Sequence, residues 1–516
     1  MEFNHDSRKK NIIRTSLVNC ICKGLQIIAG LGYRVFFLRI LTVEYLGLNG
    51  LFSNILGVLS LADIGIADAV IYRLYHPINT EDVKTVGQLM RFYKKSYYII
   101  ALVISTLGCI VSLFLKYLIK DAAEIPTDVN LYTIYFLFLL QTVSSYLFSY
   151  KFALLNADQK AYQNTIISTI CILFKYVLQL VILVATKNYT LSIGIGIAAN
   201  IIINFIASIW VSHQYPAVFS ERTSPAETEK KGIYKDTIAA LLHKIGGTAL
   251  SSTDNILLSK YIGLSVTGIY SNYVVVLSGI SGITGMVLSA LVPSLGNAHV
   301  SLEPEERYIL YKKSLFMNFW LISLVSVCIY NLIDDFIVLW LGKKLLLDPL
   351  TVSLLCIQLY IEGVRSVSCS YTLACGLFVK DRARPIIEAL LNLGISILFL
   401  KLVGTPGIFI GTIASCLLTV FWREPYLLHK YAFGKSMKDY WLMYIKYTLL
   451  SVIAAICSVK IKNLLFSSGV SIVSWFVTGI ITVALFETLH ITIFRKDPNF
   501  QYYLRLFSGR IALRKR

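Results

Sequence analysis

Apolar runs long enough to cross a bilayer recur along almost the whole chain, and they restrict the fold more than any other feature. A helix needs about 20 mostly apolar residues to cross a hydrocarbon core about 30 Å thick. Lipid offers no water to the backbone, so each span must satisfy its own N–H and C=O groups. With such short intervals between runs, helices do this most economically. Composition agrees: 56% of the 516 residues are hydrophobic and 15% are charged, where a soluble chain carries about a quarter charged. The mean hydropathy is +0.67. The expected fold is an all-α polytopic membrane protein.

A window of roughly 19 residues yields about 14 transmembrane helices, from Ile12–Ile40 to Ser471–Phe494. The second run covers Leu46–Tyr72 and the seventh Thr237–Ser259. The longest polar insert, His213 to Asp236, holds Pro216, Pro225 and mixed charges. It reads as a linker between halves. The expected organisation is residues 1–213 as an N-lobe of six spans and 214–236 as a cytoplasmic linker. Residues 237–430 form a C-lobe of six spans, and 431–516 add two spans and a basic tail.

The formal charge of +19 raises the question of nucleic acid. The distribution of Lys and Arg answers it. With the N-terminus inside, Arg8, Lys9, Lys10, Arg91, Lys94, Lys95, Lys380 and Arg384 fall on the cytoplasmic side, together with the Arg514-Lys515-Arg516 tail. External loops are poor in cations. This is the positive-inside asymmetry, so no nucleic-acid partner is expected and both termini face the cytoplasm. The ten cysteines lie almost entirely in apolar runs without metal-ligand spacing and read as buried thiols. The polar N-terminus lacks a short apolar run followed by a cleavage site, so the first span is expected to remain.

The halves repeat one another. Gly50-Leu51-Phe52-Ser53-Asn54 matches Gly268-Ile269-Tyr270-Ser271-Asn272, an offset of 218. Tyr93-Lys94-Lys95-Ser96 matches Tyr311-Lys312-Lys313-Ser314 at the same offset. Six spans per repeat leave the halves in the same orientation, a recurrent transporter design. The two lobes are therefore expected to be pseudo-symmetric.

The segment Tyr45-Leu46-Gly47-Leu48-Asn49-Gly50-Leu51-Phe52-Ser53-Asn54 resembles the second-helix opening of bacterial polysaccharide exporters. Leu59-Ser60-Leu61-Ala62-Asp63-Ile64-Gly65 continues the pattern, and the Pro406-Gly407-Ile408 turn is also similar. The chain resembles the polysaccharide-transport and O-antigen flippase group of the multidrug/oligosaccharidyl-lipid/polysaccharide exporter superfamily. That resemblance implies no enzyme. It implies flipping of an undecaprenyl-diphosphate-linked oligosaccharide from the cytoplasmic to the outer leaflet of the bacterial inner membrane, for O-antigen, capsule or exopolysaccharide. Its partners would be the lipid-linked oligosaccharide, membrane lipids, polysaccharide polymerase and glycosyltransferases.

An ionisable group inside a span is costly and therefore a functional candidate. Lys23 and Arg34 are eleven residues apart and share a helical face with Ser16, Asn19, Gln26 and Gly30. Lys175 lies on a polar stripe with Asn164, Ser168, Cys171 and Gln179. Lys244 shares a face with Asn255, and Arg365 with Gln358, Glu362, Cys369 and Thr372. Lys23, Arg34, Lys175, Lys244 and Arg365 are the expected substrate-binding cations, because cations at several depths suit a migrating diphosphate. The opposing interpretation is internal pairing, as Glu362–Arg365 spacing permits. Asp63, Asp254, Glu362 and Glu388 are candidates for H⁺ or Na⁺ coupling or for gating. No metal or other cofactor is expected. Two alternatives stay open: a multidrug or cation antiporter of the same superfamily, which would favour acids in its cavity, and a membrane oligosaccharide polymerase or ligase, which would favour a large external loop.

Overall fold

The computed structural model describes residues 8–60, 66–226, 232–233, 252–289, 303–381, 383–466 and 469–507. Among the described residues every regular element is helical, and twelve helices are long and apolar enough to cross a membrane. The chain is a multi-pass membrane protein. Two expected spans are not among the twelve. The second falls on the short apolar helix Val43–Leu59 and on Ile66–Asn79, with undescribed residues between them. The seventh lies mostly outside the described residues, which resume at 252.

Two compact units divide between Ser271 and Asn272. The first contains α1 (Arg8–Ile40), α2 (Val43–Leu59), α3 (Ile66–Asn79), α4 (Val83–Ser112), α5 (Leu131–Ala157), α6 (Ala161–Thr186), α7 (Tyr189–Gln214) and the short α8 (Pro216–Ser220). The division falls inside α9 (Leu264–Ser289). Side-chain caps set several helix starts by taking up otherwise unpaired N–H groups. Asp82 accepts from the Thr85 N–H at 3.0 Å, Asn130 from Thr133 at 3.1 Å and Asn188 from Leu191 at 2.9 Å.

The second unit contains α10 (Pro304–Leu341), α11 (Pro349–Ala374), α12 (Arg384–Val403), α13 (Pro406–Leu418), α14 (Val420–Leu427), α15 (Lys438–Leu465), α16 (Ile472–Phe494) and α17 (Pro498–Phe507). A π-helical turn at Leu428–Phe433 extends α14. Helices α15 and α16 pack on α10 and on each other. Outward faces are apolar and exposed, as at Leu102, Val181, Leu390 and Ile480, which suits a lipid surround. The interiors hold fully buried tyrosines, several of whose hydroxyls find partners. Tyr135 donates to the Gly108 carbonyl at 2.9 Å, Tyr273 to Asp334 at 2.8 Å, and Tyr447 pairs with His490 at 2.9 Å.

The repeated Tyr-Lys-Lys-Ser segments have matching local structure. Tyr93 and Tyr311 are both fully buried. Ser96 donates to the Phe92 carbonyl at 3.1 Å, and Ser314 donates to the Leu310 carbonyl at 3.0 Å. The lysines differ: Lys94 and Lys95 are exposed, whereas Lys312 and Lys313 are half-buried.

Within the first unit, α2 meets the start of α9 backbone to backbone. A Cβ on Gly47 would collide with the Leu264 carbonyl, and one on Gly268 with the Val43 carbonyl. Small residues permit such close crossings in membranes, where packing rather than water expulsion drives association. The same end is tied by Lys120 N–H to the Ser259 carbonyl at 3.1 Å, and by the Glu124 carboxylate to the Leu264 N–H. Gly268→Val is expected to lower stability by about 1–3 kcal/mol through overpacking. Gly285→Ala, with nothing within 4 Å of its Cβ, should leave the melting temperature in detergent unchanged. Equal melting of wild type and Gly268→Val would refute the close approach.

Candidate functional site: cations held inside each unit

In the first unit the candidate cations sit on α1 and α6, which pack side by side and run in the same direction. Their register is set by polar contacts. Thr165 donates to Asn19 at 2.6 Å, and Gln26 donates to Thr169 at 2.9 Å. Further along, Tyr33 stacks on Tyr176 with ring centroids 4.8 Å apart. Much of the polar face of α1 is therefore spent on α6.

Three cations stand along this pair. Lys23 lies between the Asn19 and Gln26 contacts. Lys175 lies one residue before Tyr176, close to the level of Gly30, whose Cβ position is 3.8 Å from the Tyr176 hydroxyl. Arg34 follows Tyr33 and donates from Nη1 to the Ser271 hydroxyl at 2.9 Å. Lys23 and Arg34 are about 16 Å apart along the axis, and Lys175 falls between them. All three are half-buried. Among the described residues, Lys23 and Lys175 have neither a hydrogen bond nor an ion pair. Lys244 and Asp63 lie outside the described residues.

Beyond Arg34 the contacts close over. Tyr189 donates to Asn49 at 2.5 Å, and Tyr45 donates to Asp128. Asp254 and Asn255 are buried on the helical stretch 252–261. Asn255 stands near Gly50, where its Oδ1 is 3.8 Å from the glycine's Cβ position.

The second unit treats its charges differently. Arg365 on α11 binds Glu424 on α14 at 3.0 Å and 3.3 Å, a two-pronged guanidinium–carboxylate contact. Arg384 contacts Asp381 at 2.5 Å, Glu388 at 2.7 Å and Glu424 at 3.9 Å. Arg423 reaches Asp381 at 3.4 Å. Three arginines thus face three buried carboxylates, and the cluster is neutral. The pairing allowed by spacing, Glu362 with Arg365, does not form. Glu362 is exposed and accepts from Gln358 at 2.9 Å. The spacing was compatible, but α14 brings a buried carboxylate to the inner side of Arg365.

Sequence reasoning missed Glu424, Asp381 and Arg423. Glu424 pairs with Arg365 59 residues away and Arg423 with Asp381 42 residues away, so no local pattern marks those pairs, although the three-residue spacing of Asp381 and Arg384 was a local signal. Arg384 had been read as a topology residue. Glu362 lines a pocket of about 220 Å³ with Ser281, Thr284, Ser326 and Ser366. Among the described residues no group of three or more His, Cys, Asp or Glu side chains could hold a metal.

Breaking a buried ion pair from one side leaves a bare charge and costs about 3–5 kcal/mol, whereas an apolar replacement of both partners is often tolerated. Glu424→Leu is therefore expected to lower thermal stability in detergent sharply. The double variant Arg365→Met/Glu424→Leu should recover at least half of that loss. A double variant no better than Glu424→Leu would show that the pair is not the coupled unit.

The fold is shared with known proteins. The lipid II flippase MurJ, in an inward closed conformation, superposes with a TM-score of 0.65 at 14% identity, covering 93% of this chain and 99% of MurJ. An inward-facing multidrug resistance MATE family transporter of the MOP superfamily gives 0.58 at 16% identity, covering 81% and 100%. A MOP superfamily transporter from Pyrococcus furiosus gives 0.52 at 14% identity, covering 82% and 96%. These likenesses show a shared fold, and the proteins that share it are transporters and a flippase rather than enzymes. No curated protein matches the sequence significantly. The family described as polysaccharide biosynthesis protein matches residues 9–299, more than half of the chain, and the chain belongs to that family.

Proposed function

We propose that this protein flips a diphosphate-linked oligosaccharide on an undecaprenyl carrier from the cytoplasmic to the outer leaflet of a bacterial inner membrane. The observation that carries the reading is the pair Lys23 and Lys175, partly buried inside membrane-spanning helices and without a hydrogen bond or ion pair among the described residues. An unpaired charge at such a depth is expensive and is retained for work on a substrate or ion. A diphosphate would meet Lys23, Lys175 and Arg34 at successive levels, and the lipid tail would stay in the bilayer. Family membership in polysaccharide biosynthesis supports a glycan-bearing cargo.

The Lys and Arg asymmetry puts both termini in the cytoplasm. The end closed by Tyr45, Asn49, Tyr189 and the α2–α9 crossing then faces outward, and release would require those contacts to part. The six-span lobes and the 214–236 linker remain the proposed organisation for that rocking motion. Lys244 would extend the cation series, whereas Arg365 would act by holding α11 and α14 together.

For coupling, Glu362 is the favoured group, because its carboxylate lines a pocket with four hydroxyl side chains that would suit H⁺ or Na⁺. Glu388 is neutralised by Arg384 and would serve structure, and buried Asp254 would serve gating. The acids do not favour cationic-drug export, since the partly buried span charges without partners among the described residues are lysines, Lys23 and Lys175. Polymerase and glycosyltransferase partners, and the choice among O-antigen, capsule and exopolysaccharide, belong to this proposal.

The test follows leaflet exposure of a lipid-linked oligosaccharide in sealed vesicles supplied with the cognate glycosyltransferases. A charge-assisted hydrogen bond is worth about 1.5–3 kcal/mol, so Lys23→Ala/Lys175→Ala should slow flipping by about tenfold or more while inserting and melting normally. Full activity of that double variant would overturn the reading. Glu362→Gln should abolish any dependence of the rate on an imposed ion gradient; an unchanged dependence would remove Glu362 from the coupling role.

A further inference from the structure

A pocket of about 1000 Å³ lies on the first unit between α4, the end of α5, the end of α7 and the segment through α8 to Arg222. Its lining includes Arg91, Lys94, Lys95, Lys151 and Arg222, against a single carboxylate, Glu221. That carboxylate is already engaged, accepting from the Thr223 N–H and hydroxyl, each at 2.7 Å. The pocket is therefore strongly positive.

Its walls are built by specific contacts. Arg91 donates from Nη1 to the Arg222 carbonyl, and Gln88 donates to Thr223 at 2.8 Å. Lys151 donates to the Ser212 hydroxyl at 2.7 Å and to the Ser208 carbonyl at 3.2 Å. These bonds hold the segment after α8 against α4 and fix Lys151 half-buried at the back.

One face of α4 also changes character along its length. Arg91, Lys94 and Lys95 are exposed, then Tyr98 at 44%, then Ile99 at 52% and Leu102 at 68%. Charge, then an aromatic, then aliphatic surface is the order met on passing from the headgroup layer into hydrocarbon.

The internal repeat supplies a comparison. Lys312 and Lys313 stand at the positions of Lys94 and Lys95, and there the protein covers its own lysines. Lys312 is 3.8 Å from Asp439 on α15, and Lys313 lies 3.8 Å from the Tyr502 ring centroid on α17. The space beside them is about 380 Å³ and is lined by two carboxylates, Asp439 and Asp497. In the second unit the C-terminal helices supply anion and aromatic cover. In the first unit no such helix covers Lys94 and Lys95 among the described residues, and Lys94 meets only the Tyr98 ring of its own helix, 5.5 Å away.

We propose that the pocket beside α4 binds the headgroup of an anionic phospholipid, whose acyl chains lie along Ile99 and Leu102. Arg91 and Lys94 engage the phosphate, and Lys151 sets the depth of the headgroup.

The test titrates the delipidated full chain in detergent with phosphatidylglycerol or phosphatidylcholine, reading bound lipid by native mass spectrometry. Each cation near a lipid surface contributes about a fivefold preference, so Arg91→Gln/Lys94→Gln should bind phosphatidylglycerol at least about tenfold more weakly. Lys312→Gln/Lys313→Gln should bind within about twofold of wild type. Should the Arg91→Gln/Lys94→Gln variant not fold, Lys94→Gln alone, at an exposed position, is read the same way with a fivefold loss. Unchanged phosphatidylglycerol binding by the α4 variants would overturn the proposal, as would equal binding of phosphatidylcholine. Displacement of phosphatidylglycerol by an equal concentration of inorganic phosphate would also overturn it, because the acyl chains would then add nothing. No oligosaccharide substrate is present, so the outcome is independent of the flipping assay.

Discussion

Hydrocarbon offers a polar group nothing to bond with except protein. Most of this molecule follows from that. Serine and threonine hydroxyls along the spans turn back to carbonyls one turn earlier, as at Ser105, Thr142, Ser314 and Thr482. Several buried tyrosines pair with acids, carbonyls or each other, as at Tyr215, Tyr135 and Tyr93. The arginines of α11 and α12 are matched by carboxylates to neutrality. Against this background Lys23 and Lys175 stand out, because they lie inside spans and the described protein leaves them uncompensated.

The two units therefore use charge for different ends. In the second, Arg365, Arg384 and Arg423 bind helices α11, α12 and α14 and the turn at Asp381 into one block. Such a cluster adds little net stability compared with apolar packing, yet it tolerates no missing member. In the first, α1 and α6 are joined by neutral hydrogen bonds, tyrosine stacking and Arg14 over the Tyr162 ring, which leaves Lys23 and Lys175 outside these contacts. One unit is thus cross-braced by ion pairs, and the other presents charge along a helix pair held by neutral contacts.

Much of the fold was legible because apolar length is a strong signal. Twelve expected spans are present as helices, and the Tyr93 and Tyr311 repeats fold alike to the hydrogen bond of the following serine. Legibility failed where interactions join distant segments. Asn19 and Gln26 share the face of Lys23 and Arg34 by helical angle, but the angle cannot say that α6 occupies that side. Arg365 read as a substrate ligand because Glu424 lies in an unremarkable Trp-Arg-Glu-Pro run at a helix end. Glu362 lies on the same helix as Arg365, but three-residue spacing says nothing of which side faces the protein.

The crossing of α2 and α9 has one more consequence. Gly47 and Gly268 put peptide planes together with no side chain of their own between them. Interlocked residues would have to change rotamer, one after another, before such helices could part. A bare crossing has no teeth to disengage, so it can separate and re-form in a single movement. Its grip depends on distance alone, and van der Waals attraction falls steeply with distance. The joint is thus tight when shut and slack after a small displacement, as a snap fastener is.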